Sequence, residues 1–480
     1  MNRLLNYFQS NRLVEKEYNQ HELSFDKPLP LGLKGTLFRN GNGRFEHLGV
    51  RYDHLFDGDG MLAKFVFKDG KVYYSNRHVR TDELEKEEQA GKMLYRSFGT
   101  NIPGGFSKNL MKTRFKNASN TSVIWHGGKL LSLWEGGLPH EIDPETLETK
   151  GRYHYNKKLL NPYTKLDQMI FPEMAFSAHP KIHPDTGELY NFGTIAGLKN
   201  RLMQYRVQPD GTMDQVKGLE MPGVVFTHDF VLTESKKKVF FFTPVSFGLF
   251  KMFVGLDTPV GSMQVRKGQP TTILLLDEHN KKTEFKTDFG FIFHFANGFD
   301  LEDGRVVVDG FMMPDFPGAE VNKKLFEGND DATPAGILTR FILNPTTGEV
   351  ERFPLSDRAG EMPALHPEKK SRVYEYVWCL GLPKEADYKL LDGLQKVNVK
   401  TGKIDLTSFH PHLPGEPIFI PKPGTTQEDE GWISILIFNT ESLTTWLYIL
   451  DAKDLKEICK AQLPHNIPLG FHGLFVKELY

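Results

Sequence analysis

Short apolar runs, each introduced by a polar or glycine turn, recur along the whole chain. They are Asp69-Gly-Lys-Val-Tyr-Tyr74, Gly127-Gly-Lys-Leu-Leu-Ser-Leu-Trp134, Thr186-Gly-Glu-Leu-Tyr-Asn-Phe192, Lys236-Lys-Lys-Val-Phe-Phe-Phe242, Asp303-Gly-Arg-Val-Val-Val308, Ser371-Arg-Val-Tyr-Glu-Tyr-Val377 and Gly431-Trp-Ile-Ser-Ile-Leu-Ile437. β-Branched and aromatic residues behind turn formers are the signature of strands that leave hairpins. The seven units start about 50 to 68 residues apart, near the upper end of propeller blade lengths. Further turns follow them, at Asp143-Pro-Glu-Thr146, Pro209-Asp-Gly-Thr212, Asn344-Pro-Thr-Thr-Gly348 and Lys400-Thr-Gly-Lys403, and read as hairpin or blade-edge loops. Long helical periodicity is scarce. The expected fold is all-β: a seven-bladed β-propeller spanning 1–480 as one domain, with loops and short helices capping its top face. An irregular all-β protein is the alternative.

Four histidines sit in similar apolar, aromatic-rich contexts: Phe176-Ser-Ala-His179, Val224-Val-Phe-Thr-His228-Asp-Phe230, Phe291-Ile-Phe-His294-Phe295 and Leu469-Gly-Phe-His472-Gly-Leu-Phe475. A single buried imidazole is usually hydrogen-bonded core. Four such residues, separated by 49, 66 and 178 positions, follow the repeat at about one, one and three units. Inner strands of a propeller converge on its axis, so one imidazole from each of four blades can meet at one metal ion. Of the other histidines, His183 leads into the turn Pro184-Asp-Thr-Gly187, and His54 adjoins the turn Phe56-Asp-Gly-Asp-Gly60. His366, His410 and His412 neighbour prolines. Each of these is expected to play a structural or surface role.

Composition narrows the field. Lys+Arg of 59 against Asp+Glu of 61 gives a net charge of -2, with no basic excess to bind nucleic acid. Cys379 and Cys459 are the only cysteines, so neither a disulfide framework nor a thiolate metal site is indicated. The first residues, Met1-Asn-Arg-Leu-Leu-Asn-Tyr-Phe8, lack the apolar core of a signal peptide, and no apolar run is long enough to span a bilayer. The expected location is cytoplasmic, which makes the sequons at Asn117 and Asn120 chance matches. The 37 Phe, 16 Tyr and 5 Trp suit either a Phe-rich core or a core plus a long apolar channel.

Imidazole suits zinc, copper, iron and nickel, so ligand type alone does not choose the metal. A closed tetrahedral zinc would be structural, whereas an octahedral ferrous ion keeps two positions open. Four neutral ligands leave the ion's charge uncompensated, which carboxylates accepting the other imidazole N–H would correct. Glu135, Glu361 and Glu416 lie in segments that read as buried strand, where glutamate is rare without a partner.

The chain resembles the carotenoid cleavage oxygenases over essentially its full length. The resemblance is carried by Leu37-Phe-Arg-Asn-Gly41, His54-Leu-Phe-Asp-Gly-Asp-Gly-Met61, Asn120-Thr-Ser-Val123, Leu133-Trp-Glu135, Ser177-Ala-His-Pro-Lys181, Phe226-Thr-His-Asp229, Phe293-His294, Glu361, Glu416-Pro417 and Gly470-Phe-His-Gly473. The stretch from Lys116 to Pro144 is most similar to bacterial apocarotenoid oxygenases. Arg39-Asn-Gly-Asn-Gly43 departs from the family in lacking its usual proline. The resemblance implies one Fe(2+) held by His179, His228, His294 and His472, with dioxygen as co-substrate. It also implies that Glu135, Glu361 and Glu416 orient His228, His294 and His472, while His179 has no carboxylate partner. Thr121 matches a residue whose methyl obstructs one open metal position, and Trp134 and Phe293 match aromatic residues near the reaction centre. The implied activity is oxidative cleavage of one conjugated C=C bond of an apolar polyene, the central bond of an apocarotenal, to give retinal and a second aldehyde.

Two apolar segments, 103–116 and 245–256, carry Phe and Leu beside Lys and Arg. Each reads either as a lid on the propeller top or as a peripheral membrane contact. No obligate protein partner is evident. The remaining alternatives are a different polyene bond or a stilbene as substrate, and an interaction propeller with a structural zinc. A calcium-dependent propeller hydrolase would use axial Asp, Asn and Glu in place of four histidines.

Overall fold

The computed structural model describes residues 2–112, 114–195, 199–223, 226–329, 335–383, 386 and 389–479. Val224 and Val225, which lead to His228, and Thr113, inside the segment 103–116, lie outside them. The strands form a seven-bladed propeller. Each of the seven units marked in the sequence falls in a different blade, in the strands Lys71–His78, Lys129–Leu133, Leu189–Ile195, Lys238–Phe242, Val306–Met313, Tyr376–Gly381 and Gly431–Asn439. We number the blades I to VII in that order. The sixth strand starts five residues later than its turn, because Ser371 has positive φ and the chain stays irregular to Glu375.

The local chemistry of the turns accounts for these hairpins. Asp69 and Gly70 take φ of 53° and 74° between Gly60–Lys68 and Lys71–His78, with Lys68 paired to Lys71. Gly127 and Gly128 do the same between Ser122–His126 and Lys129–Leu133. Two central residues with positive φ match the right-handed twist of the flanking strands, and glycine or Asp-Gly adopts them at low cost.

Blade I closes the ring. Its strand Gly35–Asn42 pairs on one side with Gly60–Lys68 and on the other with Gly473–Val476, so residues from both ends of the chain share one sheet. Blades V and VI share a strand: Val350–Ala364 pairs along its first part with Gly336–Leu343 and at its end with Tyr376–Gly381. Apolar clusters fill the spaces between sheets, and one of them joins blades VI and VII around Trp378, Phe419 and Ile433.

Short helices cap one face, at Arg3–Ser10, Asp82–Ala90, Phe106–Asn109, Lys165–Ile170, Leu249–Phe253 and Ala319–Phe326. Leu4, Glu83, Met169, Met252 and Leu325 from five of these line the cavity beneath. Among the described residues, no helix is long and apolar enough to cross a membrane.

Trp378 is fully buried, and its indole N–H donates to the Ala452 carbonyl at 2.8 Å, tying blade VI to blade VII. Trp378→Ala is expected to cost about 3–5 kcal/mol through the cavity it leaves. Trp378→Phe, which mainly loses the hydrogen bond, is expected to cost about 1 kcal/mol. Thermal unfolding followed by intrinsic fluorescence should rank the midpoints wild type, Phe, Ala; equal midpoints for the two variants would contradict this account.

Candidate metal centre

His179, His228 and His472 stand two, three and one residues before Lys181–Ile182, Val231–Leu232 and Gly473–Val476, strands of blades III, IV and I. His294 lies within Phe291–Asp300 of blade V, where the pairing register shifts between Ile292 and Phe295. The donor atoms of the four imidazoles lie within 4.8 Å of one another. Nε2 of His179 is 2.9 Å from Nε2 of His228, and Nε2 of His294 is 3.2 Å from Nε2 of His472.

Three carboxylates fix which nitrogens face inward. Glu135 Oε2 lies 2.5 Å from His228 Nδ1, Glu361 Oε2 2.6 Å from His294 Nδ1, and Glu416 Oε1 2.7 Å from His472 Nδ1. A carboxylate only accepts, so each Nδ1 carries the proton and each Nε2 presents a bare lone pair. Among the described residues no carboxylate pairs with His179. Burial, together with the three neighbouring imidazoles, pushes its pKa well below the usual histidine value and keeps the ring neutral. Burial would also depress His294, but Glu361 outweighs it and raises that pKa.

The facing lone pairs of His294 and His472, 3.2 Å apart, repel one another unless a cation lies between them. The donor set therefore fits a divalent metal. Every pair of ligands in a tetrahedral site with bonds of about 2.0–2.1 Å lies about 3.4 Å apart. A spread reaching up to 4.8 Å suits a more open arrangement with unfilled positions.

The sequence reading placed all three glutamates in buried strands, and the structure corrects two of them. Glu361 lies in Val350–Ala364, but Glu135 sits in the turn after Leu133, and Glu416 lies between Leu413–Pro414 and Ile418–Pro421. The ladder of blade II stops at Ser122 opposite Leu133, and Gly136 and Gly137 then pass close against the Trp134 indole. Glu361 is itself steadied by Met362, whose positive φ of 59° brings its N–H onto Glu361 Oε2 at 2.6 Å.

Viewed blade by blade, the centre takes one side chain from each. Histidines come from I, III, IV and V, and glutamates from II, VI and VII. Blade II also supplies Thr121, immediately before Ser122–His126, the position that His472 holds before its own strand. Its hydroxyl donates to Asn120 Oδ1 at 3.1 Å, and its carbonyl accepts the His472 backbone N–H at 3.2 Å.

Several supporting residues escaped the sequence reading. Arg39, almost fully buried, donates from Nη1 to Glu416 Oε2 at 2.6 Å, and the Gly473 N–H donates to the same oxygen at 2.9 Å. Burial would raise the Glu416 pKa, but His472 and Arg39 hold it below the usual carboxylate range. Asp229 joins three blades: it accepts from Lys181 Nζ at 2.7 Å, from Phe230 N at 2.8 Å and from Phe295 N at 3.1 Å. A charge within the apolar run Leu37-Phe-Arg39 was the one available signal, since buried charges require partners.

The histidines set aside in the sequence have other duties. His183 Nε2 faces the Glu234 carbonyl at 2.8 Å, while its Nδ1 accepts from the N–H groups of Asp185 and Thr186. His54 caps the short helix Leu55–Asp57 through Phe56 N, and burial drops its pKa to about 3. His366 caps Pro367–Lys369, His410 pairs with Asp392, and His412 Nδ1 accepts from Thr440 N.

A cavity of about 900 Å³ lies over the centre. His228, His294 and His472 line it together with Thr121, Trp134, Phe56, Phe226, Phe293 and Phe471. The Phe293 ring stands edge-on to His228 at 5.3 Å between centroids. Such walls offer an elongated apolar molecule burial and alignment with few polar handles.

The family model described as retinal pigment epithelial membrane protein matches residues 12–477. The chain is similar to the apocarotenoid-15,15'-oxygenase of Synechocystis sp., 33% identical over 93% of this chain and 91% of that protein. It is also similar to resveratrol cleavage oxygenase 1 of Aspergillus fumigatus, 27% identical over 89% and 86%. Human beta,beta-carotene 15,15'-dioxygenase is 25% identical over 94% and 91%. The crystal structure of cobalt-substituted Synechocystis apocarotenoid oxygenase superposes with a TM-score of 0.91, at 31% identity and 98% coverage of each chain.

His228→Ala, His294→Ala and His472→Ala are each expected to lose most bound metal, measured by plasma mass spectrometry after reconstitution. Glu416→Gln should weaken metal binding by about 10–100-fold, and His183→Ala should leave metal content unchanged. Metal loss in His183→Ala would move the centre elsewhere.

Proposed function

The chain belongs to the retinal pigment epithelial membrane protein family of carotenoid oxygenases, and from that premise we propose that it cleaves an apocarotenoid oxidatively. The bond is the central 15,15' double bond, as in the name of the Synechocystis relative, and the products are retinal and a second aldehyde. The observation that carries this reading is an apolar cavity of about 900 Å³ opening directly onto three of the four clustered imidazoles. We take residues 1–480 as one catalytic propeller.

The proposed cofactor is Fe(2+), held by His179, His228, His294 and His472; when bound, it supplies the activation of dioxygen. The protein's part is positional. Glu135, Glu361 and Glu416 hold the Nδ1 protons of His228, His294 and His472, which turns each Nε2 toward the centre. Thr121, whose hydroxyl is held by Asn120 and which lines the cavity, narrows the space above the histidines with its methyl group. Trp134 and Phe293 clamp the polyene, which has no hydrogen-bonding group along its length, so that one double bond lies over the centre. The aromatic walls exclude water. No side chain is asked to act as general acid or base in the cleavage.

Purification under nitrogen, iron loading and addition of an apocarotenal in detergent with air should bleach the long-wavelength polyene band and release retinal, identified by chromatography. Turnover that survives complete iron removal would defeat the reading.

Peripheral membrane contact is the finer part of the proposal. Phe106, Met111, Phe250 and Leu256 are all more than half exposed, and the Met111 N–H donates to the Phe253 carbonyl at 2.9 Å, joining the two apolar segments. Lys108, Lys112 and Lys251 border them. Side chains so placed can dip into lipid while the lysines meet anionic headgroups. Met111→Asp/Phe250→Asp should abolish flotation with anionic liposomes; unchanged flotation would favour a lid.

A further inference from the structure

His54 lines the cavity but takes no part in the metal centre. It lies in the loop of blade I between the strands Gly35–Asn42 and Gly60–Lys68. Its ring meets Phe56 and Phe98 edge-on, at 4.8 and 5.3 Å between centroids. Phe56 in turn meets Phe293 and Phe471, the residues that precede His294 and His472. His54 therefore stands on the same aromatic wall as the centre, one ring further out.

The two ring nitrogens of His54 are in different situations. Nδ1 accepts from the Phe56 N–H at 3.2 Å, so it is bare and Nε2 carries the proton. Burial keeps the ring neutral. Nε2 has no hydrogen-bond partner among the described residues, yet it is not sealed. Nδ1 of His78 and Nε2 of His140 lack both a partner and accessible surface. His54 Nε2 keeps accessible surface, and the space that its ring lines is the cavity. The ring is also held in place. Gly99 packs so close that a Cβ there would lie 2.3 Å from His54 Cβ. Asp57 keeps that neighbour against the turn, accepting from the Gly99 N–H at 3.1 Å and the Thr100 hydroxyl at 2.6 Å.

A fixed N–H donor in an apolar cavity selects an acceptor. A hydrocarbon terminus offers none. A hydroxyl would accept but leave its own proton unpaired. A carboxylate would lose its hydration and meet only a neutral imidazole. An aldehyde accepts and has nothing else to satisfy.

We propose that His54 Nε2–H donates a hydrogen bond to the carbonyl oxygen at the end of the polyene, and so holds that end on the blade I side of the cavity. This rests on the apocarotenoid reading and adds its end-group preference.

The test compares an apocarotenal with an analogue of equal length that carries a methyl in place of the formyl group. Binding to the full iron-loaded chain under nitrogen is followed by quenching of tryptophan fluorescence. Wild type is expected to bind the aldehyde about tenfold more tightly. The C=O stretch of the bound aldehyde, read by resonance Raman scattering, should fall below its value in detergent. His54→Asn offers an oxygen where Nδ1 stood and so keeps the cap, but it loses the Nε2–H; both effects should vanish. Tyr7→Phe, which removes a phenol that also lines the cavity, should keep both. Equal binding of the two compounds or an unshifted C=O stretch in wild type overturns the proposal, as does a preference unchanged in His54→Asn or lost only in Tyr7→Phe. Retinal release in air judges the cleavage reading separately. Preferential binding of the aldehyde without that release sinks the cleavage reading and leaves this one.

Discussion

Three carboxylates, each holding the outer proton of one imidazole, are the constraint from which the centre takes its form. Once Nδ1 of His228, His294 and His472 is committed to Glu135, Glu361 and Glu416, the inner nitrogens have only lone pairs to offer. The inner lone pairs of His294 and His472 meet at 3.2 Å, where they repel one another unless something positive is shared. The fold thus imposes a mutual repulsion that a cation converts into attraction. The four imidazoles are a donor set that fits a divalent metal.

The carboxylates are restrained in turn, and differently. Glu416 is anchored by a buried guanidinium and a backbone N–H, Glu361 by its neighbour's left-handed backbone. Glu135 sits where blade II ends its hairpin against a tryptophan that also walls the cavity. Alignment of the imidazoles and shaping of the substrate space are thereby linked through adjacent residues, Trp134 beside Glu135 and Phe293 beside His294.

Much of this was legible in the chain, and the limits are physical. The blades announced themselves because each needs a turn former ahead of a β-branched or aromatic run, a local requirement. The histidines stood out because their spacing followed the repeat. The glutamates did not stand out alone: a carboxylate in a turn resembles any solvated glutamate until its partner, 56 to 93 residues distant, is known. Arg39 and Asp229 were harder still. Their meaning lies in contacts between blades, and no periodicity in the sequence records such contacts.

One side chain from every blade reaches the centre, and this has a bearing on how such a protein can change over evolutionary time. Propellers grow and shrink readily by duplication or loss of a repeat, since one blade packs on the next much like any other. Here a duplicated blade would widen the ring and pull seven converging groups apart, and a deleted one would remove either a ligand or its anchor. Each repeat is thereby tied to its own place in the ring, because each contributes a different group to the one centre.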